Sequence, residues 1–82
     1  TGNYIKAEKY LRKAVELLPS DPVASDHYGD VLWQLNRKIQ ANYFWKSALN
    51  SDEADEELKS KVKEKLYNGQ LIISKPFSPR KI

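Results

Sequence analysis

The stretch HYGDVLW, residues 27–33, places a glycine in the middle of an otherwise favourable helical pattern. Glycine inside a helix costs about 1 kcal/mol relative to alanine, so Gly29 needs a packing or backbone reason to stand between Tyr28 and Leu32. The stretch therefore raises the question of what lies against Gly29.

Working outward from Gly29, apolar or small side chains recur at three-and-four spacing, which predicts an all-α fold. Four helices are expected, over residues 3–18, 22–35, 37–50 and 52–68. Pro19 ends the first helix, and Ser20 or Asp21 is available to cap the second. Asn36 suits the left-handed backbone of a tight turn between the second and third helices.

The fourth expected helix begins with acidic residues and continues with lysines, an order that complements the helix dipole. We expect Asn68 and Gly69 to end it. Its apolar stripe is narrow, as in a helix that covers a neighbour on one side and faces water on the other. The stripe consists of Ala54, Leu58, Val62 and Leu66.

Length and composition limit the chain to one small domain. Eighty-two residues support a modest core, and the lack of cysteine excludes disulfides, thiolate metal sites and a cysteine nucleophile. The longest apolar run, residues 71–73, is far shorter than a membrane span requires. Lys75, Arg80 and Lys81 lie in residues 70–82, and residues 1–69 hold eleven basic and eleven acidic side chains. A duplex-binding basic stripe on the folded surface is therefore not indicated.

The chain also resembles itself at an offset of thirty-four residues. Six chemically matched pairs share this offset, and most of them fall on small and large core positions of two helices. The pairs are Gly2 with Asn36, Ala7 with Ala41, Tyr10 with Phe44, Leu11 with Trp45, Ala14 with Ala48, and Val15 with Leu49. A period of this length is typical of helical solenoids.

On these residues the chain resembles the tetratricopeptide repeat family. Tyr28, Gly29 and Leu32 match its first helix, and Ala41, Trp45 and Ala48 match its second. In hairpins of this family the first helix approaches the second most closely at this glycine, so the resemblance implies that Gly29 packs tightly against the next helix. A further set matches the second helix of a preceding repeat, namely Ala7, Leu11, Ala14 and Pro19. The resemblance implies an antiparallel helix-turn-helix solenoid fragment over residues 1–69, with one full repeat at 22–53 and a capping helix at 52–68. Residues 70–82 have no counterpart and are expected to form a flexible basic tail.

Four positions depart from the family pattern. Ser25 replaces a common tryptophan, Leu32 a tyrosine, and Asn36 a glycine. Glu53 stands where a closing proline is expected, and the chain continues into an acidic helix similar to the solvating helix that caps such arrays.

The resemblance implies a protein-binding scaffold in which the first helix of each repeat lines a concave surface. The candidate partner-binding stripe lies opposite Gly29 on the second helix and consists of Val23, Asp26, His27, Asp30, Trp33 and Gln34. Two carboxylates beside an indole suit a lysine or arginine of a basic partner segment. The alternative is that these acids pair with Arg37, Lys38 or lysines of the fourth helix, while Trp33 packs under that helix.

Two other groups of residues, a histidine with an aspartate and a set of aromatic side chains, are candidate functional sites. His27 is the only histidine. His27 and Asp30 together supply two ligands, which is fewer than a zinc or non-haem iron site needs. We therefore expect no metal, no cofactor and no enzyme activity. Trp45 and Phe44 occupy core positions of the repeat, which argues against a base-stacking platform that would also include Trp33 and Tyr43.

Two further expectations concern association. An apolar strip on the first helix predicts self-association, because solenoid helices bury their faces on neighbours that here would precede Thr1. The strip consists of Tyr4, Ala7, Tyr10 and Leu11. The alternative function is binding to nucleic acid or an anionic surface through the tail at 70–82 and the lysines of the fourth helix.

Overall fold

The structure, a computed structural model, describes residues 2–74, with side chains described for residues 2–69. It contains four helices, α1 (Gly2–Leu17), α2 (Pro22–Gln34), α3 (Lys38–Leu49) and α4 (Glu56–Ser74). No strand occurs in this part of the chain. The prediction of an all-helical fold with about four helices is therefore confirmed.

Gly29 lies in close contact with α3. A Cβ built on it would lie 2.5 Å from both Cδ1 and Nε1 of Trp45 and 3.1 Å from the carbonyl oxygen of Ala41. Ala41 is completely buried, and Trp45 is 4% exposed. The glycine thus lets the indole lie directly against the α2 backbone, as the sequence predicted.

The connection from α2 to α3 is a tight turn at Asn36. Asn36 has a positive φ of 64°, which an asparagine tolerates better than most residues. The backbone N–H of Arg37 donates to the carbonyl of Leu32 over 2.8 Å, and that of Asn36 donates to Trp33 over 3.0 Å. These bonds satisfy the last carbonyls of α2 and direct the chain back along it.

The connection from α1 to α2 ends in a side-chain cap. Asp21 is the N-cap of α2, and its carboxylate accepts the backbone N–H of Val23 over 3.0 Å. Pro22 follows in the first turn, where its missing N–H has no helical partner to lose. Of the two predicted capping residues, Asp21 therefore caps the helix.

The predicted bounds of the fourth helix are wrong at both ends. The helix begins at Glu56, because Asp55 caps it by accepting the backbone N–H of Leu58 over 2.8 Å. It runs through Gly69 and ends at Ser74, so Asn68 and Gly69 do not end it. The lysines that follow the acids, at residues 59, 61, 63 and 65, therefore lie in the first half of the helix and none lies in its last turn, so the dipole argument holds only for the acids of the first turn.

The four helices pack in sequence, α1 against α2, α2 against α3, and α3 against α4. The buried apolar cluster runs through all of them, and Leu58 and Leu66 of α4 pack against it from one side. The cluster consists of Val15, Ala24, Tyr28, Leu32, Ala41, Trp45, Ala48 and Val62. Such sequential helical hairpins are compatible with the solenoid expectation.

The expected basic tail at residues 70–82 lies partly within α4 and partly outside the described residues. Residues 75–82, which hold Lys75, Arg80 and Lys81 of the expected basic tail, lie outside the described residues. Residues 70–74 belong to α4 rather than to the tail. None of the helices described here combines the length and the apolar character that crossing a bilayer requires.

Candidate functional site

The acidic pair on α2 is covered by a lysine from α4. The ammonium nitrogen of Lys65 lies 2.8 Å from a carboxylate oxygen of Asp26 and 2.9 Å from one of Asp30. Asp26 is 3% exposed, so it does not lie on an open surface as the candidate stripe requires. Asp30 is half-buried and also accepts the indole N–H of Trp45 over 3.1 Å.

Trp33 completes this arrangement under α4. Its ring packs against the indole of Trp45, with the ring centroids 5.4 Å apart, and the Lys38 ammonium stands 4.2 Å from its ring centre. A Cβ on Gly69 would lie 3.2 Å from the Trp33 ring and 3.3 Å from the amide nitrogen of Asn42. Gly69 is therefore a second close-approach glycine, which brings α4 down onto Trp33.

Lys65 thus supplies, within the chain, the cation that the sequence pattern predicts from a basic partner segment. Burial lowers the pKa of the Lys65 ammonium, but its hydrogen bonds to Asp26 and Asp30 and their charges outweigh burial, so its pKa is raised above the usual value of a lysine. A charged lysine held by two carboxylates next to an indole is the contact that the α2 pattern predicts. The alternative in which α4 lysines pair with these acids is the one that the structure contains.

The rest of the candidate stripe is exposed. Val23, His27 and Gln34 face outward on α2. One ligand atom each from Asp26, His27 and Asp30 lies within 4.8 Å of the others, a spacing compatible with a shared metal ion. The Lys65 ammonium already holds the two carboxylates, however, so this group does not fit a metal ion as it stands.

A buried glutamate joins three helices in a contact that the sequence did not predict. The Tyr28 hydroxyl of α2 donates to Glu8 of α1 over 2.8 Å, and Glu8 is 8% exposed. Arg12 pairs with the same carboxylate at 3.2 Å, and Arg37 at the start of α3 approaches it to 4.0 Å. Burial and the Glu8 carboxylate raise the pKa of Tyr28 to about 12.

The aromatic side chains are divided between core and surface. Trp45 is buried, and Phe44 is half-buried with its ring centroid 4.6 Å from that of Tyr28, as the repeat pattern predicts. Trp33 is half-buried under α4, whereas Tyr43 is exposed. A stacking platform made of all four rings is therefore not present.

Among the residues whose side chains are described, exposed large apolar side chains are most numerous on α1 and directly after it. Five large apolar side chains of the segment 4–18 are exposed, namely Tyr4 (39%), Ile5 (51%), Tyr10 (75%), Leu17 (79%) and Leu18 (59%). The predicted uncovered strip is therefore present at Tyr4 and Tyr10. Ala7 is half-buried, and Leu11 packs against the core cluster rather than facing outward.

Comparison with protein-family models, with curated proteins and with solved structures finds no match to this chain.

Proposed function

We propose that this chain is a protein–protein interaction module, a tetratricopeptide-like scaffold of stacked helical hairpins whose binding surface is the outer face of α1. The observation that carries the proposal is the concentration of exposed large apolar side chains on that helix. Tyr10 and Leu17 are more than two-thirds exposed, and they lie seven residues apart on one side of α1. A contiguous apolar patch of this kind is typical of a surface that binds another protein.

The α2 stripe supports the same class of function less well. Its central carboxylates are held by Lys65, so a basic partner segment must displace α4 to reach Asp26. Val62 of α4 is completely buried, which makes that displacement costly. The accessible part of the stripe, Val23, His27 and Gln34, is a secondary contact in this proposal.

Self-association through α1 is one form of the proposal, since a second copy also buries Tyr4 and Tyr10. Both forms require the same surface. A substitution in the exposed apolar face therefore tests the proposed function without assuming the identity of the partner.

The test compares capture of cellular proteins by the full chain carrying Leu17→Glu with capture by Tyr67→Glu. Both side chains are exposed, Leu17 at 79% and Tyr67 at 66%, so both variants are expected to fold. We expect Leu17→Glu to remove specific partners, or dimerisation in a sedimentation experiment, and Tyr67→Glu to retain them. Identical capture and identical sedimentation by the wild type and Leu17→Glu contradict the proposed function.

The secondary contact is tested with His27→Glu. Asp26→Lys is unsuitable, because it places a second cation beside Lys65 in a buried position and destabilises the fold. In the proposal, His27→Glu weakens partner capture less than Leu17→Glu does.

A further inference from the structure

Exposed apolar residues in the second half of α1, together with Leu18 directly after it, border an open groove. The α1 strip is defined as Tyr10, Ala14, Leu17 and Leu18. Together with Lys13 these residues line a groove of about 340 Å³. Ala14 is half-buried and packs against the core, so it forms the floor of the groove between the exposed side chains of Tyr10 and Leu17.

Positive charge follows one edge of the α1 strip. Lys6 precedes Tyr10 by four residues and Lys13 precedes Leu17 by four, so both lie beside the strip on the helix surface. Lys9 lies further round the same side. All three side chains are exposed, and none forms an ion pair within the part of the chain that the structure describes.

The two glutamates of α1 do not balance these lysines at the α1 strip. Glu8 is buried and engaged by Tyr28 and Arg12. Glu16 is exposed and lines a second groove with Lys9, Arg12 and Lys13, so it lies on the outer side of the lysines and not beside Tyr10 or Leu17. One exposed carboxylate therefore stands against three exposed lysines. The surface that a partner meets is therefore apolar in the centre and basic along one side.

We infer that the α1 strip docks an amphipathic helix whose apolar face is flanked by carboxylates. This inference rests on the proposed function and adds the chemistry of the partner. The apolar face of the partner covers Tyr10 and Leu17 and fills the groove above Ala14, while its glutamates or aspartates pair with Lys6 and Lys13. Removal of apolar surface from water supplies affinity, and the lysines select the sign of the partner's charge.

Charge disfavours a second copy as the occupant. Two α1 strips that face each other bring two lysine-flanked edges together, six exposed lysines in all against two exposed glutamates, and like charges at an interface reduce affinity. An acidic helix meets the same apolar surface without that repulsion. The occupant is therefore an acidic amphipathic helix of another protein.

Two synthetic peptides of about 15 residues test this inference, a length at which a helix is marginal alone and forms on binding. Both present leucines at helical spacing, and their flanking positions are glutamate in one peptide and lysine in the other. Binding to the full chain is measured by fluorescence anisotropy. We expect the glutamate peptide to bind at least about tenfold more tightly, and its binding to weaken with added salt.

Matched variants assign the binding to α1. Lys6→Glu with Lys13→Glu removes or reverses the preference for the glutamate peptide. The control Lys61→Glu with Lys63→Glu changes two exposed lysines of α4, alters the net charge equally, and leaves the preference unchanged. Leu17→Glu weakens binding of the glutamate peptide about tenfold, whereas Tyr67→Glu does not.

Three outcomes overturn the inference. Equal affinity for the two peptides, or equal effects of the α1 and α4 charge variants, removes the role of Lys6 and Lys13. A dimer of the full chain that Leu17→Glu dissociates, and with which the glutamate peptide does not compete, identifies a second copy as the occupant and leaves the proposed function standing. If neither peptide binds and Leu17→Glu changes neither capture nor sedimentation, both proposals fail.

Discussion

Gly29→Ala adds one methyl group at the α2–α3 contact, and its effect follows from the surrounding distances. The new Cβ would lie 2.5 Å from two atoms of the Trp45 indole and 3.1 Å from the Ala41 carbonyl. The indole has little room to retreat, because it is 4% exposed, packs against Trp33 and donates to Asp30. The substitution therefore forces either Trp45 or the helix axis to shift.

Two opposing contributions decide the sign of the change in unfolding free energy. Alanine gains about 1 kcal/mol over glycine in helix propensity. Overpacking a buried contact costs about 1–3 kcal/mol, and a displaced indole weakens its hydrogen bond to Asp30 by about 1 kcal/mol. We expect a net loss of about 2 kcal/mol. A domain of this size has a total stability of about 4–12 kcal/mol, so the variant still folds.

Urea denaturation followed by circular dichroism measures this loss, with Gly2→Ala as the control. A Cβ on Gly2 meets nothing within 4 Å, so this variant is expected to stay within about 0.5 kcal/mol of the wild type. Combining Gly29→Ala with Trp45→Leu is expected to cost less than the sum of the two, because the smaller side chain leaves room for the methyl group. A Gly29→Ala protein that is more stable than the wild type refutes the steric argument.

Three further changes test contacts elsewhere in the fold. Lys65→Met is expected to lower the unfolding free energy by about 2 kcal/mol in thermal or urea unfolding, because it leaves Asp26 buried without a cation. Tyr28→Phe removes the hydrogen bond to the Glu8 carboxylate and is expected to lower the unfolding free energy by about 1.5 kcal/mol. In a titration followed by tyrosinate absorbance, the same variant lacks the step near pH 12 that belongs to the Tyr28 hydroxyl. Asp55→Ala removes the α4 cap, with an expected loss of about 1 kcal/mol and faster amide hydrogen exchange in the first turn of α4.

Matched changes control for these variants. Lys61→Met removes an exposed lysine of α4, and Asp52→Ala an exposed acid before the cap, so both are expected to have little effect on the unfolding free energy.

The unfolding free energy is expected to fall at high pH. Because the pKa of Tyr28 is raised in the folded state, its contribution to stability is complete below pH 10 and is lost as the pH rises through about 12. Tyr28→Phe should therefore flatten this part of the stability curve, and an unchanged curve contradicts the assignment.

The parts of the fold that sequence predicted well depend on local geometry. A helical period, an asparagine in a turn and an aspartate before a proline each act within a few residues, so Asn36 and Asp21 have the expected roles. Gly29 was also interpretable because the repeat placed small residues opposite it. Ala41 and Ala48, completely buried, confirm that part of the pattern.

The errors come from contacts between distant parts of the chain. Gly69 resembles a helix terminus in the sequence, yet it lies within α4 against Trp33, thirty-six positions earlier. The same reasoning that explains Gly29 explains Gly69, but only once the partner ring is known. Glu8 and Tyr28 are twenty residues apart, and no local pattern indicates that the carboxylate is buried.

The acidic pair on α2 shows how a surface pattern defines the chemistry of a contact without defining its partner. Asp26 and Asp30 require a cation, and a lysine thirty-five or more residues later supplies it, so this site is already satisfied. Charged groups that are paired within the chain in this way form a structural cluster rather than a binding surface. The lysines of α1 differ in that respect, because Lys6 and Lys13 are exposed beside Tyr10 and Leu17 with no acidic partner among residues 2–69. Apolar exposure and unpaired charge coincide on α1, and it is this coincidence that favours α1 over α2 as the interaction surface.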